Sequence, residues 1–292
     1  AGFQLRLDPA RLVHVDADHE MLGANYPASL MIAADAADAF RYLVDSDARK
    51  SDWTIDELAA CRARISTRAE DSLEPRVGGT PAGTASSFFE ALRRALPRDA
   101  MLVLDSGNHQ ILARRYFRVF EPRGLMVPTD LQSMGFAIPT AIGAKLASHD
   151  RKVVALVGDG GFAMTGLELL SARREGIDLT VIIFVDGQLG QIRLHQLRDY
   201  GAAHATDLTN PRFDLLAEAI GARYFEIGDD AEATIREALS SGGVTIVTVP
   251  VGDTAAIFRA AISSRAREQL RRRLGPQLIQ RVKALWGGRR GH

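Results

Sequence analysis

Residues 152–193 read KVVALVGDGGFAMTGLELLSARREGIDLTVIIFVDGQLGQIR and constrain the fold more than any other stretch. Residues 153–157 are an apolar run too short for a helix and stopped by glycine, which predicts a buried parallel strand. Leu167, Leu169, Leu170 and Ala172 then recur at helical spacing, and the pattern stops near Gly176. Residues 179–185 are a second, β-branched run sized for another buried strand. Strand, helix and strand in this order make a βαβ unit, whose parallel strands end side by side.

The alternation extends in both directions. Upstream come a helix over 86–96, a strand over 101–104, a helix over 110–117, a strand over 125–127 and a helix over 137–147. Downstream come a helix over 213–220, a strand over 223–227, a helix over 231–239 and a strand over 244–249. This predicts an α/β fold, a doubly wound and mostly parallel sheet across residues 84–255, with ligands at the carboxyl ends of its strands. A strand over 11–16 and a helix over 34–44 predict the tail end of a second α/β domain within residues 1–45. Residues 46–83 are charged and punctuated by Pro75 and Gly78-Gly79; they read as an interdomain linker holding one helix over 53–65. The 292 residues are enough for one large or two modest domains. A net charge of zero and a pI near 7.3 give no case for nucleic acid. A single cysteine, Cys61, excludes an internal disulfide and suits a reducing compartment. No run of 18 apolar residues occurs and no signal-peptide pattern opens the chain, so a soluble, cytoplasmic protein is expected. A start at Ala1 rather than Met suggests processing or a fragment.

Two chemistries compete for the central unit, beside a plain structural turn. Gly158, Gly160 and Ala163 satisfy G-x-G-x-x-G/A after a strand, and Asp186 stands where a ribose-binding acid belongs, as in a nicotinamide-dinucleotide domain. Alternatively, Asp159 inside the glycine turn and Asp186, 27 positions later, bring two carboxylates to one crevice. Two oxygen ligands, a backbone carbonyl, water and two phosphate oxygens suit octahedral Mg²⁺. The glycines let backbone N–H groups approach the phosphates. At the end of the 101–104 strand, Asp105-Ser106-Gly107-Asn108-His109 places donors where a helix begins, suited either to an anion or to capping. Met134, in Ser133-Met134-Gly135-Phe136-Ala137-Ile138-Pro139, reads by itself as core packing.

These residues resemble the thiamine diphosphate enzymes of the acetolactate synthase-like (pyruvate decarboxylase/oxidase) family, in their C-terminal half. The family's Gly-Asp-Gly, followed about two dozen residues later by Asn-Asn and a glycine-containing loop, matches Gly158-Asp159-Gly160 and Val185-Asp186-Gly187-Gln188. The resemblance implies Asp159, Asp186 and the Gln188 carbonyl as Mg²⁺ ligands. Valine-aspartate replaces Asn-Asn, which adds a negative charge beside the diphosphate. The family's Gly-Gln-His implies diphosphate contacts from Ser106, Gly107, Asn108 and His109. Gly160, Gly161, Leu189 and Gly190 complete the implied cofactor set. The family's M-G-F-G-L-P pattern implies that Met134 props the cofactor into a bent conformation, bringing its pyrimidine amino group to the thiazolium C2. His195 replaces a tryptophan of the acetolactate synthases, setting this chain apart from acetolactate synthesis proper. It is a candidate acid/base in a substrate-side loop, with a solvated histidine as the alternative. In the first domain His14-Val15-Asp16-Ala17-Asp18, Asn25 and Asp35 resemble a pattern that contacts FAD in some members. Most of such a site would lie outside this chain, and a strand-end cap and a helix N-cap are the favoured reading of the two acids.

The resemblance covers about residues 11–255. It implies an enzyme, lyase or transferase, that decarboxylates a 2-oxo acid, joins the resulting enamine to a second carbonyl, or both. Family members need a glutamate from a pyrimidine-binding domain of a neighbouring subunit, and no such domain is found in these residues. The expected partners are therefore a 2-oxo acid, a chain carrying that domain, and an oligomer. A catalytically lapsed regulatory subunit is the main alternative. Residues 262–292, within a C-terminal tail at 256–292, carry nine basic residues against one acid, with an apolar helical face interrupted at Gly275-Pro276. Such a helix suits an anionic membrane, but covering its own domain or a partner is the favoured reading.

Overall fold

The computed structural model describes residues 7–46, 52–70, 76–78 and 83–252, and the chain divides into two compact units, Ala1–Thr67 and Arg68–His292. In the first, β1 (Val13–Asp16) pairs in parallel with β2 (Leu30–Ala33), followed by α1 (Ala36–Asp45). Asp35 caps α1, its carboxylate accepting from the Ala37 N–H at 2.7 Å, and Asp16 accepts from the Asp18 N–H at 2.9 Å. None of this unit's described residues is buried. At the division runs α2 (Ile55–Glu70), opened by reciprocal bonds between Thr54 and Glu57.

The second unit contains α3 (Ala85–Ala95), β3 (Met101–Leu104), α4 (Asn108–Tyr116), β4 (Leu125–Met126), α5 (Ala137–Ala147) and β5 (Val153–Gly158). It continues with α6 (Asp159–Thr165), α7 (Leu169–Arg174), β6 (Leu179–Val185), α8 (Gly190–Tyr200), α9 (Phe213–Ala219), β7 (Arg223–Glu226), α10 (Ala231–Ser240) and β8 (Val244–Pro250). Six strands form one parallel sheet in the order β4-β3-β5-β6-β8-β7.

The period of two along each strand splits the core cleanly. Leu102, Leu104, Val154, Leu156, Ile182 and Val247 meet Phe89 and Leu92 of α3, Leu112 of α4 and Ile235 of α10. Val103, Ala155, Val157, Val181, Ile183 and Ile246 meet Ile138 and Ala141 of α5, Leu169 of α7 and Phe213 of α9. Each large aliphatic or aromatic side chain so enclosed contributes about 1.5–3 kcal/mol of hydrophobic stabilisation. Both faces are covered, which is why these strands carry unbroken apolar runs.

The structure departs from the sequence reading in three places. The helix after β5 begins at once with Asp159 and is broken by a 3₁₀ turn at Gly166–Glu168. Residues 190–200, expected as a loop, are α8: Gln, Arg and Leu favour helix, and Gly201 ends it in the left-handed conformation at φ 73°. Within the stretch read as a linker, Val77 is buried and bridges Val251, while the Gly78 N–H donates to the Pro250 carbonyl at 2.9 Å. The basic tail at 256–292 lies outside the described residues, as do 47–51, 71–75 and 79–82. Among the described residues no helix is long and apolar enough to cross a membrane.

Candidate functional site

The connection from β3 leads outward to β4, whereas that from β5 leads to β6 on the other side, so the two chain paths part between β3 and β5. Such a switch point leaves a crevice at the carboxyl ends of the strands. A cavity of about 360 Å³ opens there, and every residue assigned to the site from sequence lines it. Gly158 of the glycine turn and Gln191 and Ile192 of the substrate-side segment also line it, as do Gln132, Phe184 and Val251, which were not anticipated.

Asp159 is 2 % exposed and its carboxylate spans two loops. Oδ1 accepts from the Gly160 N–H at 2.9 Å; Oδ2 accepts from the Gly187 N–H at 2.8 Å and from Asn210 Nδ2 at 2.7 Å. The turn after β6 is thereby fastened to the turn after β5. Gly187 adopts φ 69°, a left-handed conformation that favours glycine, and this swings the chain back towards Asp159. Asp186 Oδ1 accepts from the Gln188 N–H at 3.2 Å. The Leu189 N–H donates to Thr206 at 2.7 Å and the Leu208 N–H to Gly187 at 2.8 Å, with Gln188 opposite Asp207 between them. Ladder alternation turns the Gln188 carbonyl the other way from these bonds, free for another partner.

At the end of β3, Asp105 is fully buried. It accepts from the Ser106 N–H at 2.7 Å, the Gly135 N–H at 2.9 Å and the Phe136 N–H at 3.3 Å. Burial pushes its carboxyl above the usual carboxylate range, against the lowering effect of these three donors. The Met134 loop is therefore tied to the β3 turn by an internal carboxylate. Gly161 packs on the same group: a Cβ there would stand 2.3 Å from Asp105 Oδ2. His109 is 5 % exposed, lies against Gly158 and meets the Phe184 ring edge-on at 6.4 Å. Burial lowers its pKa to about 4, outweighing a bond from the ring to the Asp105 carbonyl, and Nε2 has no hydrogen-bond partner.

Met134, Leu189 and Leu208 converge over Gly160, where a Cβ would meet them at 3.2, 2.7 and 3.3 Å. This apolar cap faces the polar turns across the cavity. His195 lies on α8, half-buried, with Asp199 one turn further on.

This arrangement can be tested against a diphosphate and a divalent cation. His109 Nε2 is a buried polar atom awaiting a partner, and a phosphate oxygen opposite it would draw a proton onto it. Asp159, Asp186 and the Gln188 carbonyl supply the hard oxygen donors that Mg²⁺ takes. Among the described residues the lining holds two carboxylates and neither lysine nor arginine, so a cation between them and a diphosphate would offset their mutual repulsion. Among the described residues no three His, Cys, Asp or Glu side chains converge as a metal cage. That also suits Mg²⁺, which relies on phosphate and water for the rest of its shell. The residues present fit both groups.

The sequence reading passed over Asn210, Leu208 and the carboxylate of Asp105. Asn210 lies 51 residues from Asp159 in an irregular segment, and no local pattern marks it.

Residues 105–249 match the family model for the thiamine pyrophosphate enzyme, C-terminal TPP binding domain. An acetolactate synthase of Bacillus subtilis is 34% identical over 166 residues, 56% of this chain and 29% of its own. A sulfoacetaldehyde acetyltransferase of Alcaligenes xylosoxydans xylosoxydans is 30% identical over 237 residues, 73% of this chain and 39% of its own. The acetolactate synthase large subunit of Lactococcus lactis is 30% identical over 221 residues, 75% of this chain and 37% of its own. The chain thus spans about a third of the length of these relatives. With its all-parallel sheet and the turns gathered at one switch point, the chain belongs to the thiamine pyrophosphate enzyme family, and residues 105–249 are its C-terminal TPP-binding domain.

Proposed function

We propose that this chain is the diphosphate- and Mg²⁺-binding part of a thiamine diphosphate-dependent enzyme. The enzyme decarboxylates a 2-oxo acid, joins the resulting fragment to a second carbonyl, or does both. The observation that carries the proposal is the cavity lining: two carboxylates, an unpartnered buried imidazole nitrogen, close-approach glycines and, among the described residues, no fixed cation. A dinucleotide domain has no use for the carboxylate at position 159 within its phosphate turn.

Bound thiamine diphosphate supplies a carbon nucleophile for the carbonyl and a sink for the electron pair left behind by carbon dioxide. The chain's own residues do the rest. Asp159, Asp186 and the Gln188 carbonyl hold the cation. Ser106, Gly107, Asn108, His109, Gly160, Gly161 and Gly190 surround the diphosphate. Met134, with Leu189 and Leu208, props the cofactor from the apolar side and keeps water from its reactive edge. His195 faces the substrate side from α8, where it holds or releases a proton. The glutamate that activates the pyrimidine comes from a pyrimidine-binding domain on another chain, and turnover requires that chain.

Calorimetric titration of thiamine diphosphate in the presence and absence of Mg²⁺ tests this, with wild type and Asp159→Ala, each alone and with a chain carrying the pyrimidine-binding domain. Mg²⁺-dependent binding that disappears in Asp159→Ala is expected. Absence of metal-dependent binding under every condition would instead favour a regulatory subunit with a lapsed site.

A further inference from the structure

The strap from Thr206 to Asn210 was not part of any motif, yet it touches the site at three levels. Thr206 accepts from the Leu189 N–H, Leu208 caps Gly160, and Asn210 reaches the Asp159 carboxylate. We propose that Asn210 is a positioning residue for the cation: its amide holds Asp159 Oδ2 so that Oδ1 is presented to a divalent ion. This rests on the reading of Asp159 as a metal ligand.

The argument is a count of lone pairs. Oδ2 receives two donors, Asn210 Nδ2 at 2.7 Å and the Gly187 N–H at 2.8 Å, which occupy both of its accepting positions. Oδ1 receives one, the Gly160 N–H at 2.9 Å, and keeps a position open towards the cavity that Asp159 lines. Without Asn210, a carboxylate that is 2 % exposed would keep an unpaired lone pair on Oδ2, which the Gly187 N–H alone would then hold. The residue type matters too. A lysine or arginine would neutralise Asp159 and displace the cation, and an acid would repel the Asp159 carboxylate. An amide orients the carboxylate while leaving its charge for the metal.

Asn210 is itself held from both sides. The Leu208 N–H donates to the Gly187 carbonyl at 2.8 Å. Beyond it, Phe213 at the start of α9 packs edge-on against Phe162 of α6, the helix that Asp159 opens, with ring centres 5.6 Å apart. The amide and the carboxylate therefore ride on segments that are fastened to each other.

The test is titration of Mn²⁺ into the full chain at saturating thiamine diphosphate, with free Mn²⁺ read by electron paramagnetic resonance. Wild type, Asp159→Ala, Asn210→Leu and Asn210→Gln are compared, and thermal midpoints are taken in EDTA. Outer-shell partners of metal ligands typically govern affinity by about 10–100-fold. Asn210→Leu is accordingly expected to weaken Mn²⁺ binding by that factor while keeping the wild-type thermal midpoint in EDTA. Asn210→Gln, which keeps the amide donor, is expected to recover part of the loss. If wild type binds Mn²⁺, Asp159→Ala does not, and Asn210→Leu matches wild type, the inference is wrong and the site assignment stands. Weakened Mn²⁺ binding accompanied by a lowered thermal midpoint in EDTA, equally in both Asn210 variants, would reduce Asn210 to a structural role and also overturn it. Unchanged Mn²⁺ binding in Asp159→Ala would remove the site reading and the inference together.

Discussion

The two walls of the cavity are built by different rules. On one, Asp105, His109 and Asp159 stand at the ends of β3 and β5, each no more than 5 % exposed and bonded to backbone groups. On the other, α8 has no buried residue at all. It is held by the Leu189–Thr206 backbone bond, by Arg193, 3.6 Å from Asp207, and by Gln196, which accepts from the His204 N–H at 2.8 Å. The wall proposed to grip diphosphate is thus continuous with the core, whereas the wall proposed to face substrate is attached by a few polar contacts. On the proposed function, cofactor binding is set by the sheet, and substrate preference can change without disturbing it.

The comparison breaks first at its tightest point. Gly161→Ala drives a methyl group into the Asp105 carboxylate, and a loss of more than about 3 kcal/mol is expected in urea unfolding, together with diphosphate binding. By contrast, Gly187→Ala meets no atom within 4 Å and is strained only by its φ of 69°, so about 1–2 kcal/mol is expected from the same measurement. Similar costs at the two positions would mean that steric closeness at Asp105 is not what fixes this wall.

Next in size is a pH effect confined to the buried wall. The folded pKa of His109, about 4, lies below its ordinary 6.5, so the unfolded chain takes up the proton first. Stability from this group is complete above pH 6.5 and falls as the pH drops towards 4, by up to about 3 kcal/mol. His109→Gln should flatten that slope. Asp105, shifted upwards by burial, works in the opposite direction in both proteins and so cancels in the comparison. The smallest effect belongs to α8. Arg193→Ala should cost less than about 1 kcal/mol globally, yet speed amide exchange in residues 190–200 while leaving β5 and β6 protected. Uniform exchange across all three would show that α8 is as integral as the strands.

The same division explains what could be read from sequence. Residues 101–104 and 179–185 were legible to the residue, because short buried β-branched runs bounded by turn signals admit little else. The glycine-aspartate turn was legible because its chemistry is local. Strand β2 was not: Leu30–Ala33 runs directly into the alanines of α1, with only Asp35 as a stop. The helix α8 lacks an apolar face to bury, so the periodicity that exposes other helices is absent, and Gly201 was its one clear terminator. Asn210 and the carboxylate of Asp105 act across 51 and 30 residues, distances at which only the folded chain reveals a partner.

Asp105 has a consequence for how such a site can vary. Because Gly135 and Phe136 are fastened to the end of β3, the place of Met134 does not depend on how many residues separate it from β4. That segment is a seam: insertions or deletions between Met126 and Gln132 would be absorbed as slack, and Met134 would keep its station. Length variation near the mouth of the cavity is thereby uncoupled from the chemistry inside it.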